Sequence, residues 1–183
     1  FSNVPIRWGL TGTLPEEESD KLTIEACIGS LVDEIETADL QEKGVLAGIH
    51  IHVHQYQDLG EAFSNYQAEL KWLMSNEARL KAIAKQISQI SETGNTLVLV
   101  DRIEAGEKLE SYVADSVFVS GKLKSADRKK EYDEVREVNN KVIIATYGVA
   151  STGTNIPRIF NLVLVESGKS FVRVIQSIGR GLR

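Results

Sequence analysis

The sequence predicts an α/β fold built on a doubly wound, mostly parallel sheet, and two observations predict it. Four short runs, Thr96–Val100, Ser116–Val119, Val142–Ala145 and Leu162–Val165, are rich in β-branched residues and almost continuously apolar. Strands buried on both faces require that pattern. Between the runs lie polar segments of helical period, at 104–113, 125–139 and 171–180. Strand–helix–strand alternation is the signature of a sheet covered on both sides.

Taken in chain order, Ile6–Leu10 reads as a short strand and Thr11–Pro15 as a turn. Asp20–Ala38 reads as a helix or loop, and Val45–Tyr56 as a strand. Ala62–Ile90 is helical with a break near Ser75-Asn76. Its mixed stripe runs through Glu69, Leu70, Leu73, Leu80, Ile83, Ile87 and Ile90. Farther on, Ser125 is a candidate N-cap for the helix over 125–139, and Asp127 places negative charge in its first turn.

At 183 residues, with 42% hydrophobic and 26% charged side chains, the chain can bury an ordinary globular core. Its single cysteine, Cys27, excludes an internal disulfide and fits a reducing, cytoplasmic setting. No apolar run approaches the ~20 residues that span a bilayer, so no membrane partner is expected. The start, Phe1-Ser-Asn-Val-Pro-Ile-Arg7, lacks an initiator Met and the design of a signal peptide, and reads as a cut inside a longer chain. The net charge of −5 argues weakly against nucleic acid, but the charge is unevenly placed. Residues 1–95 carry 7 basic and 15 acidic side chains, a balance of −8. Residues 96–183 carry 14 basic and 11 acidic, a balance of +3, and a local field matters more to a polyanion than the total.

That basic half ends in Gln176-Ser-Ile-Gly179-Arg180-Gly-Leu-Arg183, and 21 residues before Gln176 stands Asn155. Asn155 lies in Ala145-Thr146-Tyr-Gly-Val-Ala-Ser151-Thr152-Gly153-Thr154-Asn155-Ile-Pro157. Arginines at i and i+3 share neighbouring faces of one helical turn, so both guanidiniums can reach one anion. Two rigid forks of donors suit the charge that develops as a γ-phosphoryl group leaves. Gly153 in a strand-to-helix loop can turn backbone N–H groups toward an anion, and Ser151, Thr152 and Thr154 add hydroxyls.

With Gly9-Leu-Thr11-Gly12-Thr13-Leu-Pro15, Thr96–Arg102 and Val119-Ser-Gly121-Lys122, these motifs stand in a recognisable order. The chain resembles the C-terminal motor half of superfamily 2 helicases and translocases, nearest in flavour to phage recombination and repair helicases of the UvsW type. Glu42-Lys-Gly44-Val-Leu46 is similar to that family as well. The resemblance implies a RecA-like helicase C-terminal domain over 46–183, behind a short tail of a preceding RecA-like domain. It implies ATP with Mg2+ as cofactors, the metal held mainly by that first domain. The implied partners are DNA, single-stranded or branched, and the first RecA-like domain in cis. For a phage-encoded chain the compartment is the host cytoplasm.

Carried over by position, Arg183 is the arginine finger, Arg180 supports the same phosphates, and Gln176 hydrogen-bonds nearby. Gly153 and Asn155 approach the nucleotide, with Asn in place of the Asp of many relatives. Thr11, Gly12 and Thr13 match the motif that couples the nucleotide site to the nucleic-acid site. Arg102, Gly121, Lys122, Thr146, Ser151 and Thr152 fall where the family holds one strand's phosphates, contacts that position a strand without reading it.

Other readings stay open. A non-catalytic nucleic-acid-binding or partner-docking domain would share the fold, and a restriction-type translocase would share the motor. Gly168-Lys169-Ser170 imitates the end of a P-loop, but Val163 stands where glycine is required, and Leu123 follows Gly121-Lys122. With no P-loop lysine and no recognisable Asp-Glu motif for magnesium, the chain alone is expected to be inactive. His50, His52 and His54 alternate on the predicted strand, which puts them on one face about 7 Å apart. Without further ligands they read as a half-exposed face, and no metal site is assigned. Trp8, Trp72, Phe63, Tyr66 and Phe171 read as core; Tyr147, beside the 146–155 loop, is left between core and stacking roles.

Overall fold

Four parallel strands carry the fold: β1 (Thr96–Val100), β2 (Ser116–Val119), β3 (Val142–Thr146) and β4 (Asn161–Leu164), in the order β2-β3-β1-β4. The computed structural model describes residues 4, 6–12, 14–15, 17–56, 62–121, 138–150 and 158–165. The backbone divides into one unit over His50–Ser170 and a second that includes Phe1–Ile49.

In the larger unit the register sets Val100 beside Thr146, Val119 beside Ala145 and Leu99 beside Leu164. Every residue of β1 is buried, as the continuous apolar runs require. Alternation sends Val98, Val100, Val142 and Ile144 to one face, where Leu80, Ile83, Ile87, Leu109 and Val113 cover them. Leu97, Leu99, Ile143 and Ala145 take the other face with Tyr147 and Val149. The sheet is therefore packed on both sides.

The smaller unit contains α1 (Glu18–Ile28) and α2 (Thr37–Glu42). Glu18 and Asp20 suit the amino end of α1, and Gly29, at φ 119°, ends it. Arg7 Nη1 donates to Cys27 O at 2.6 Å. Ile6–Leu10 forms no strand among the described residues, and Trp8, expected in the core, is 82% exposed. Nothing described in 4–49 is fully buried.

The first face of the sheet is covered by α4 (Glu77–Ser91) and α5 (Ile103–Tyr112), and α3 (Tyr66–Ser75) packs on those two helices. The expected break falls at Asn76, whose extended backbone (φ −67°, ψ 109°) ends α3 and starts α4. Its Oδ1 accepts from Arg79 N at 3.1 Å, and Asn65 caps α3 the same way through Ala68 N at 2.9 Å. Each cap contributes about 1 kcal/mol. α5 matches the segment predicted at 104–113. The predicted helices over 125–139 and 171–180 lie mostly or wholly outside the described residues, and 138–140 is not helical.

At the amino ends of the strands, the buried Asn95 joins three segments. Its Nδ2 donates to Val138 O and its Oδ1 accepts from Lys141 N, while its carbonyl accepts from Phe160 N and Asn161 N. Asn161 Nδ2 is directed back toward Ile90 O, Gly94 O and Thr93 Oγ1. The two amides close the bottom of the sheet.

Val45–Tyr56 departs from expectation. It pairs with no strand among the described residues, so His50, His52 and His54 do not share a strand face. Alternation alone does not make a strand, because the backbone must also find a pairing partner. Instead Tyr56 anchors this segment on α4. Its hydroxyl donates to Gln86 Oε1 at 2.5 Å, its ring lies 5.8 Å from the Arg79 guanidinium carbon, and Gln86 Nε2 is 3.3 Å from His54 Nδ1. Burial pushes the Tyr56 phenol above its usual pKa, and the nearby Arg79 charge offsets part of that rise.

Candidate nucleic-acid interface

Because all four strands run the same way, their carboxyl ends share one edge, and ligands of open α/β sheets bind beyond that edge. Three of the expected contact residues meet there. Thr146 is the last residue of the central β3, half-buried and level with Val100. Its parity places it on the face shared by Val142 and Ile144. Arg102 follows β1 by two residues and is the N-cap residue of α5, in extended conformation (φ −110°, ψ 135°). Gly121 follows β2 across the buried Ser120 and is exposed. With strands about 4.8 Å apart, these positions span neighbouring strands of one rim.

Their surroundings differ. A Cβ on Gly121 would meet nothing within 4 Å, so packing among the described residues does not demand glycine. What the missing side chain leaves is backbone that a ligand can approach. Arg102 Nη2 donates to Gln67 Oε1 across a long 3.5 Å, while its Nε is buried without a partner among the described residues. Gln67, exposed in the first turn of α3, was not legible in sequence: 35 residues separate it from Arg102, and no motif links them.

Of the residues expected to couple the two sites, Thr11 and Gly12 lie exposed in the smaller unit, with open space around Gly12. Thr13, Lys122, Ser151, Thr152, Gly153, Asn155, Gln176, Arg180 and Arg183 lie outside the described residues, as does Phe171. Tyr147 resolves toward the core at 4% exposure, opening α6 (Tyr147–Ala150) under the second face. Phe63 and Trp72 are half-buried and pair at 5.4 Å between ring centroids, tilted by 49°. Tyr66, expected in the core, is 41% exposed. Among the described residues no three His, Cys, Asp or Glu side chains gather as a metal site, and no helix is long and apolar enough to cross a membrane.

Comparison with known proteins supplies the frame for this edge. The chain is 25% identical over 193 residues to the ATP-dependent DNA helicase uvsW of Enterobacteria phage T4, covering 100% of the chain and 38% of that protein. It is 27% identical to the protein named "Putative helicase 22" of Sulfolobus islandicus filamentous virus (isolate Iceland/Hveragerdi), covering 97% of the chain and 35% of that protein. The crystal structure of T4 UvsW superimposes with a TM-score of 0.57 at 27% identity, over 64% of this chain and 25% of that one. The chain thus spans little more than a third of the curated relatives it matches. The model of the helicase conserved C-terminal domain matches residues 78–183, more than half of the chain and all of its described strands. The chain belongs to that family, as a RecA-like C-terminal domain of a superfamily 2 helicase of the UvsW type.

Proposed function

We propose that the chain is the C-terminal motor half of an ATP-dependent DNA helicase or translocase. The observation that carries this reading is the family match over 78–183, which takes in the sheet edge bearing Arg102, Gly121 and Thr146. Residues 1–45 are then the end of a first RecA-like domain, and 46–183 form the second. Arg102, Gly121, Lys122, Thr146, Ser151 and Thr152 hold phosphates of one DNA strand. Such contacts set where the strand lies and leave its sequence unread. DNA and ATP come to this chain from the name of its T4 relative. A chain of this kind encoded by a phage acts in the host cytoplasm.

The nucleotide fits the donors at the other end of the sequence. Arg180 and Arg183 present two guanidinium forks to phosphate oxygens, Gln176 adds an amide, and Gly153 and Asn155 approach the nucleotide from their loop. ATP with Mg2+ supplies the phosphoryl transfer, the metal being held mainly by the first domain. Arg183 and Arg180 offset negative charge on the departing phosphoryl group, and Thr11, Gly12 and Thr13 pass the state of that site to the strand-binding edge.

The test is ATP turnover by a longer chain that joins these residues to an upstream motor domain, with and without single-stranded DNA. Arg183→Ala is expected to lower the DNA-stimulated rate about a thousandfold while DNA binding is kept. A variant as fast as its parent sinks the role of Arg183, and a parent without turnover sinks the motor reading.

A further inference from the structure

The partner of Arg102 is a neutral amide. Its Nη2 meets Gln67 Oε1 at 3.5 Å, and it forms no ion pair with a carboxylate among the described residues. Glu69 stands two residues after Gln67 on α3 and Glu104 two residues after Arg102 on α5, yet neither takes the guanidinium. The stem is half-buried and Nε faces protein, so the side chain is held by packing, and Gln67 meets only one end of the fork. A carboxylate at that place would accept the same hydrogen bond and cancel the charge. A glutamine accepts it and leaves the charge whole.

We propose that Gln67 is a positioning residue that aims Arg102 over the carboxyl edge of the sheet while leaving its charge free for a strand phosphate. This rests on the reading of Arg102 as a contact to single-stranded nucleic acid. An arginine already paired to a carboxylate must break that pair to take a phosphate, whereas one held by an amide gives up only a long bond to an uncharged acceptor. Gln67 therefore sets both the direction and the availability of the charge. It touches neither strand nor nucleotide itself.

The experiment measures binding of a fluorescein-labelled oligo-dT by the 183-residue chain across a salt series, for the parent, Arg102→Ala, Gln67→Glu, Gln67→Leu and the doubles with Arg102→Ala. Arg102→Ala is expected to weaken binding and to reduce the slope of log affinity against log salt by about 0.7, one phosphate on a single strand. Gln67→Glu is expected to weaken binding about three- to fivefold, the scale of one competing ion pair at a half-exposed site, and to flatten the slope. Gln67→Leu is expected to weaken binding with the slope kept. Both losses should vanish in the Arg102→Ala background.

Stability separates this role from a structural one. Position 67 lies in the first turn of α3, where a carboxylate favours the helix, so Gln67→Glu should keep or raise the melting temperature while it loses affinity. Gln67→Glu binding as tightly as the parent, or losses that persist without Arg102, would overturn the positioning role and leave Arg102 standing as a contact. Arg102→Ala binding as tightly as the parent would overturn the contact itself, and the role of Gln67 with it.

Discussion

A methyl group placed on Gly106 would lie 2.5 Å from Cζ of Phe118, so α5 meets β2 at a separation that only glycine allows. Both residues are inside the sandwich, Gly106 on the buried side of the helix and Phe118 packed on the first-face core. The same helix carries Arg102 at its N-cap, and its seating on the sheet sets where that guanidinium starts.

Gly106→Ala is expected to destabilise the chain even though alanine is the better helix former. Overpacking costs about 1–3 kcal/mol, against a propensity gain of about 1 kcal/mol. The net loss, up to about 2 kcal/mol, lowers the melting temperature by up to roughly 8 °C for a chain of this size. Thermal unfolding followed by circular dichroism measures it. Phe118→Leu in the same chain should recover part of the loss by opening the space; an unchanged Gly106→Ala melt would show that the helix can shift freely.

Asn95→Leu keeps the branched shape with a somewhat larger side chain and removes the Nδ2 donation to Val138 O and the Oδ1 acceptance from Lys141 N. A polar group losing its partner in a buried site costs about 1–3 kcal/mol. Hydrogen exchange reports the place of the damage. The Lys141 amide should exchange faster than its neighbours in β3, and an unchanged Lys141 rate would mean another acceptor replaces the asparagine.

All four strands were legible in the sequence to within one residue at each end. A strand buried on both faces needs the uninterrupted β-branched composition that Thr96–Val100 and Val142–Thr146 display. The helix break was legible for a similar reason, since Asn76 carries its own capping oxygen. What failed had no local cause to read. Ile6–Leu10 and Val45–Tyr56 have strand-like composition, yet a strand exists only where an edge accepts its hydrogen bonds. Trp8 has the character of a core residue, but in the smaller unit nothing described covers it. The contacts that shape the rim and the anchor, Gln67 with Arg102 and Tyr56 with Gln86, join residues 35 and 30 apart. Periodicity within a segment carries no information about such pairs.

Tyr56 makes a contribution to stability that alkali removes. Its pKa is raised above the usual 10.0 by burial, with Arg79 pulling the other way. A raised acid binds more protons folded than unfolded, so its contribution is full below pH 10.0 and is lost as pH climbs through the folded value. Tyr56→Phe removes this titration and the bond to Gln86. The variant should be less stable by about 1 kcal/mol at neutral pH, yet lose less than the parent above pH 10.0. Denaturant midpoints from about pH 7 to about pH 11 compare them, and parallel curves would show that Tyr56 ionises as freely folded as unfolded.

Arg183→Lys separates charge from geometry at the proposed nucleotide site. Lysine keeps the positive charge but replaces a planar fork with a point charge on a flexible stem. If only the field mattered, the Arg183→Lys variant would retain most of the DNA-stimulated turnover of the longer chain. If two oxygens must be bridged as the phosphoryl group departs, the rate should fall at least about tenfold with nucleotide affinity little changed. Arg180→Lys should show the same direction. On the proposed reading, in which the two arginines act on one charge, the double variant should lose less than the product of the single losses. Full additivity would instead assign them to separate anions, and the shared-phosphate reading of the Gln176–Arg183 stretch would not survive it.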